Sequence, residues 1–155
     1  MNKPLVAIVG RPNVGKSSLF NIITGKRISI VDDLPGVTRD RLYAEAEWSG
    51  VNFDIVDTGG IIMNEGDDFY GLVKKQSELA IDTADVIVFV VDGREGVNAD
   101  DRNISEFLRK SSKPIILACN KIDDYKKFSV NTLEFYELGL GEPIAISATN
   151  RMGIG

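Results

Sequence analysis

The strongest constraint on this chain is local and lies near its start. Leu5-Val6-Ala7-Ile8-Val9 is a short run of mostly branched apolar residues, as in a strand buried on both faces. Gly10-Arg11-Pro12-Asn13-Val14-Gly15-Lys16-Ser17 follows it and matches the pattern G-x-x-x-x-G-K-[ST]. A helix-like segment, Ser18 to Thr24, comes next and is stopped by Gly25. A strand, a glycine-rich loop and a helix in that order make a phosphate cradle. The glycines let backbone N–H groups turn toward phosphate oxygens, and the helix presents its positive end. Lys16 is expected to place an ammonium at the β- and γ-phosphates, and Ser17 to give a hydroxyl to Mg²⁺. The bland alternative is a glycine-rich turn with a surface lysine, and the flanking strand and helix argue against it.

Composition bounds the rest. The 155 residues carry a net charge of −5 and are 43% hydrophobic, which suits one domain with a real core. The single Cys119 and the lack of His exclude a disulfide framework, multi-cysteine metal sites and imidazole chemistry. A metal here would be held by oxygen, favouring Mg²⁺, Ca²⁺ or a monovalent ion. The acidic balance argues against direct nucleic-acid binding by this segment. No apolar run is long enough for a membrane span and the first residues lack a signal-peptide pattern, so the expected location is cytoplasmic.

Further strands are expected at Asp85-Val86-Ile87-Val88-Phe89-Val90-Val91, at Ile115-Ile116-Leu117-Ala118-Cys119 and at Ile144-Ala145-Ile146. Helical spacing links Leu72, Val73, Gln76, Leu79 and Ala80, and then Ile104, Phe107 and Leu108 after Asn98 as N-cap. The alternation predicts an α/β fold with a mostly parallel sheet and helices on both faces. One stretch departs from it. Leu42, Ala44, Ala46 and Trp48 alternate with polar residues, Ser49-Gly50 turns the chain, and Val51, Phe53 and Ile55 resume the period of two. This predicts a hairpin and therefore one antiparallel strand. Residues 26–40 and 59–70 show no clear pattern.

Three further motifs sit after predicted strands, at the sheet edge where open α/β folds bind ligands. Asp57-Thr58-Gly59-Gly60 ends the hairpin. Asp57 can orient a water on Mg²⁺, and the Gly60 N–H can approach a γ-phosphate. Asn120-Lys121-Ile122-Asp123 offers one carboxylate to the adjacent N1–H and N2–H₂ donors of guanine. Adenine would leave Asp123 unpaired, which costs about 1–3 kcal/mol or more. Lys121 can lay its aliphatic stem on the base, and Asn120 can tie this loop to the phosphate loop. Ser147-Ala148-Thr149 is small enough for a backbone N–H to reach the guanine O6. Thr38, within the first unpatterned segment, is either a loop threonine or a hydroxyl that completes the Mg²⁺ shell when a γ-phosphate is present. The second reading makes residues 26–40 an order–disorder switch.

Taken in order, these motifs resemble a Ras-like GTP-binding domain over nearly the whole chain. The run from Gly10 through Asn21 resembles the bacterial GTPases that include Era, TrmE and EngA. Asp32 through Arg41, Glu45-Ala46-Glu47-Trp48, Asp57-Thr58-Gly59-Gly60-Ile61 and Glu134 through Pro143 are similar to the first GTPase domain of the EngA (Der) family. The resemblance implies a Ras-like P-loop NTPase fold that binds GTP and GDP with Mg²⁺ and hydrolyses GTP as a molecular switch. Its nucleotide site would be Gly10 through Ser18, Asp57 through Ile61, Asn120 through Asp123 and Ser147 through Thr149. Lys16, Thr38, Gly60 and Asn13 would serve catalysis, and Ser17, Thr38 and Asp57 (through water) would serve the metal. It also implies a second GTPase domain, a KH-like domain and a role in assembly of the large ribosomal subunit for the longer protein.

The chain departs from that pattern twice. A Ras-like domain continues into one more helix, so residues 1–155 are expected to be an N-terminal GTPase domain lacking its last helix. Ile61 also stands where Ras-like enzymes often carry a water-orienting Gln. An apolar side chain cannot bond that water, so intrinsic hydrolysis is expected to be slow, or nearly absent in a purely nucleotide-binding module. A small-molecule kinase is the third reading; Asn120 through Asp123 and the lack of an arginine-rich acceptor lid count against it. Asn13 leaves two readings open. It makes a local turn hydrogen bond, or its carboxamide oxygen holds a K⁺ beside the phosphates, as in several GTPases that this loop resembles. Cys119 is expected to be a buried filler, Trp48 to pack against its neighbours, and Arg109-Lys110 to lie at a solvated helix end.

Overall fold

The computed structural model describes residues 4–10, 14–24, 29–30, 42–58, 69–121, 134–141, 143–147 and 154. Its elements run β1 (Leu5–Val9), α1 (Lys16–Thr24), β2 (Ser29–Ile30), β3 (Leu42–Trp48), β4 (Val51–Asp57), α2 (Phe69–Thr83), β5 (Val86–Asp92), α3 (Ala99–Arg109), β6 (Ile115–Asn120) and β7 (Ile144–Ala145). Among the described residues these strands form one sheet in the order β2-β3-β4-β1-β5-β6-β7. Strands β4, β1, β5, β6 and β7 are parallel neighbours, and β3 pairs antiparallel with both β4 and β2. The hairpin expected around Ser49-Gly50 is present. Ser49 and Gly50 both have positive φ, 51° and 82°, as the tight right-twisted turn demands.

Alternation along the buried strands explains the layers. Ala7 and Val9, Ile87, Phe89 and Val91, and Leu117 and Cys119 face one side, where they pack with Ala80 and Ala84 at the end of α2 and with Ile104 and Leu108 of α3. Ile8, Val90, Ala118 and Ile55 face the other, where they meet Leu19 and Phe20 of α1. Helices therefore cover both faces. Such strands read as continuous apolar runs because each face has its own core. Cys119 is fully buried, and desolvation followed by the Asp101 charge pushes its thiol up to about 12. It is an inert filler, as expected.

Helix α3 starts at the expected residue. Asn98 is its N-cap: the Asn98 side chain accepts from the Asp101 N–H at 2.9 Å, and the Asp101 carboxylate accepts from the Asn98 N–H at 3.1 Å. This capping box satisfies two N–H groups that the helix leaves without an internal partner.

Two features go beyond the sequence pattern. Residues 26–40, unpatterned in sequence, contain β2, whose two residues are too short to leave a period. Trp48, expected to pack against its neighbours, is only partly covered, at 43% exposed. It sits at the last position of β3 and lines a cavity of about 580 Å³ with Ile22, Ile23 and Glu47.

Replacing the cap tests the α3 assignment. Asn98→Ala should lower stability by about 1 kcal/mol, and Asn98→Gly by only a few tenths. Urea denaturation midpoints measure both, and equal midpoints for Ala and wild type would contradict the cap.

Candidate functional site

Parallel registry brings four chemically distinctive residues to one edge of the sheet. Ile8 of β1 lies opposite Asp57 of β4, Val9 opposite Phe89 of β5, and Asp92 opposite Asn120 of β6. The chain thus leaves β1 at Gly10, β4 at Asp57, β5 at Asp92 and β6 at Asn120, all at the carboxyl ends of neighbouring strands.

The phosphate loop is built against this edge. Gly10 has φ +155, and a Cβ there would come within 2.5 Å of the Val90 carbonyl oxygen. Gly15 has φ +99, and a Cβ there would collide with the Asn120 amide nitrogen. Both glycines are therefore required by close approach as well as by backbone conformation. Asn120 Nδ2 donates to the Val14 carbonyl at 2.8 Å, the expected tie between the two loops. Lys16 opens α1, is buried, and donates from Nζ to the Gly10 carbonyl. Desolvation depresses its pKa and the Asp57 charge opposes that. An anionic group nearby would oppose it further.

Asp57 is 2% exposed, and Thr58 beside it is held by a 2.7 Å hydrogen bond from Oγ1 to the Ile8 carbonyl. A buried carboxylate at the sheet edge, one strand from the start of α1, suits a hard cation bound through oxygen and water. Ser17 lies in the first turn of α1, although its side chain is outside the described residues, and Ser18 is exposed. Ser147 is buried just after β7. Arg11, Pro12, Asn13, Thr38, Gly59, Gly60, Ile61, Ile122, Asp123, Ala148 and Thr149 lie outside the described residues.

Sequence reading missed Asp92. Its Oδ2 accepts from Lys121 Nζ at 2.9 Å, and its Oδ1 accepts from the N–H groups of Arg94 at 2.8 Å and Glu95 at 3.2 Å. Burial pushes this carboxyl upward. The hydrogen bonds from Lys121, Arg94 and Glu95, with the Lys121 charge, outweigh it and hold the group below the usual carboxylate range. Lys121 itself has φ 66, in the left-handed region, which is unusual for a residue with a β-carbon. The available signal was only an Asp at the end of an apolar strand, without the glycine three residues later that marks Asp57-Thr58-Gly59-Gly60.

Comparison with known proteins agrees with this geometry. Relatives named GTPase Der are 58% identical in Clostridium kluyveri and 57% identical in Clostridium novyi over all 155 residues. This chain spans 35% of the length of those relatives. Among solved structures, Aquifex aeolicus Era bound to GDP and AlF₄⁻ superposes with a TM-score of 0.75 at 33% identity, covering 97% of this chain and 53% of that one. The G domain of the Thermotoga maritima (T. maritima) FeoB iron transporter gives 0.70 at 26% identity, covering 99% and 92%. The profile described as 50S ribosome-binding GTPase matches residues 5–121, and the chain belongs to that family.

Proposed function

We propose that this domain binds GTP and hydrolyses it to GDP and phosphate, with Mg²⁺, as the nucleotide-dependent switch of a longer protein. The observation that carries the reading is the 2.8 Å bond from Asn120 to the Val14 carbonyl. It joins a loop with the composition of a guanine site to a loop with the composition of a phosphate site. Each side chain then has a task. Lys16 meets the β- and γ-phosphates, Asp123 accepts both donors of guanine, and a backbone N–H of Ser147 through Thr149 donates to O6. Ser17, Thr38 and Asp57 supply the oxygen donors that Mg²⁺ prefers, Asp57 through water. Mg²⁺ when bound would neutralise phosphate charge. Thr38 and the Gly60 N–H report whether a γ-phosphate is present, coupling it to residues 26–40 and 59–70.

Hydrolysis is proposed to be slow, because Ile61 cannot orient the attacking water through a hydrogen bond. K⁺ held by Asn13 would supply part of the positive charge that phosphoryl transfer needs. For the longer protein, the family description, 50S ribosome-binding GTPase, supports a role with the large ribosomal subunit, and hence in the cytoplasm. No described helix is long and apolar enough to cross a membrane. The same Ile61 favours a second reading, a guanine-nucleotide module with little hydrolysis.

Three measurements test these assignments. Lys16→Ala removes the ammonium aimed at the phosphates and should weaken GTP and GDP binding by about 2–3 kcal/mol, the range for charge-assisted bonds. Wild-type affinity in isothermal titration would sink the phosphate assignment. Asp123→Asn replaces an acceptor by an amide that donates to the C2 oxygen of xanthine. It should weaken GTP binding and raise relative affinity for xanthosine triphosphate, and an unchanged guanine preference would remove Asp123 from the base site. Finally, phosphate release under excess Mg²⁺ should rise when Na⁺ is exchanged for K⁺ at constant ionic strength, and Asn13→Ala should abolish the rise. Equal rates in the two salts would defeat the K⁺ assignment, and no release in either would favour the non-hydrolysing module.

A further inference from the structure

The turn leaving β5, residues 92–97, is bonded to the chain on both sides of Asp123. On the near side, the Gly93 N–H donates to the Asn120 carbonyl at 2.8 Å, and Lys121 Nζ donates to Asp92 Oδ2 at 2.9 Å. On the far side, the Val97 N–H donates to Glu134 Oε1 at 2.8 Å. The turn is closed on itself by Asp92, whose Oδ1 accepts from Arg94 and Glu95 and whose carbonyl accepts from the Gly96 N–H at 3.1 Å. Gly96 has φ +82, and a Cβ there would lie 2.9 Å from both Glu134 carboxylate oxygens. Glu134 therefore packs against bare backbone.

Asp123 falls between Lys121 and Glu134 in sequence. One short turn is therefore bonded to Lys121, two positions before Asp123, and to Glu134, eleven positions after it. The anchor at the near end also holds Lys121 in its left-handed backbone conformation, which is unfavourable unless its surroundings impose it.

We infer that Asp92 and Glu134 are positioning residues for recognition of the guanine base: the 92–97 turn sets the two ends of the stretch that carries Asp123. This rests on the guanine reading above. Neither residue need touch the nucleotide. Asp92 acts through Lys121 and Asn120, and Glu134 acts through Val97.

Substitutions can separate positioning from simple folding support. Asp92→Asn keeps an oxygen for the Arg94 and Glu95 N–H groups but turns an amide donor toward the Lys121 ammonium. Glu134→Gln keeps the acceptor for Val97, whereas Glu134→Ala removes it. The readouts are dissociation of fluorescent GDP in Mg²⁺ buffer and the preference for GDP over inosine diphosphate, which lacks the 2-amino donor. Asp92→Asn and Glu134→Ala should each release GDP about tenfold faster, the loss expected for one charge-assisted bond. Each should also lower the preference for GDP, and Glu134→Gln should restore both values toward wild type. The inference is overturned if both variants keep the wild-type rate and preference, or if they lower only the denaturation midpoint. If either variant fails to fold, the other end of the clamp still decides. A wild-type chain with no preference for GDP over inosine diphosphate or ADP would overturn the guanine reading and this inference together. A wild type that discriminates, with variants that discriminate equally, overturns this inference alone.

Discussion

The amide of Asn120, bonded to the Val14 carbonyl at 2.8 Å, is the contact on which the site depends. It spans a large separation in sequence and joins the end of β6 to the loop after β1. The bond depends on sheet order and register: β1 pairs parallel with β5 and β5 with β6, and β5 and β6 end together, at Asp92 and Asn120, beyond the last residue of β1. It also requires Gly15, because a β-carbon at that position would occupy the space of the Asn120 amide nitrogen. One hydrogen bond therefore couples sheet register, a glycine requirement and the spacing between the loops that follow β1 and β6. In the low-dielectric edge of the sheet, leaving either partner unmet would cost about 1–3 kcal/mol.

The same edge concentrates buried charge. Lys16, Asp57 and Asp92 are all nearly inaccessible. Burying a charge is unfavourable unless something compensates it. Asp92 is compensated within the protein by Lys121 and two backbone N–H groups. Lys16 is compensated only in part, by the Gly10 carbonyl and the Asp57 charge, and burial still depresses its pKa. That difference separates a carboxylate matched by the protein from an ammonium that burial still disfavours.

Local chemistry was enough to place much of the fold. The Asn98 cap, the Ser49-Gly50 turn and the apolar runs of β1, β5 and β6 act within a few residues of themselves, and all were found where the pattern put them. The elements that escaped are those stabilised from outside. Strand β2 has two residues and exists through pairing with β3. Trp48 has the spacing of a buried residue, but it stands at the last position of β3, where the sheet ends and no helix covers it fully.

The motifs Gly10 through Ser17 and Asn120 through Asp123 could be read from sequence because each needs particular residue types at fixed short spacing. Those requirements come from backbone geometry and hydrogen-bond chemistry and act before any folding. Asp92 and Glu134 could not be assigned in this way. An acidic residue after an apolar strand, or at the start of a helical turn, has many ordinary uses. Its partners Lys121 and Val97 are distant in sequence. Only strand order and register bring Asp92 level with Asn120, and only the packing of the β5–α3 turn against residue 134 gives Glu134 an N–H to accept. The sequence by itself determined the chemistry available to the site. Tertiary structure decided which charges would be compensated fully and which only in part, because compensation depends on distance in space rather than separation along the chain.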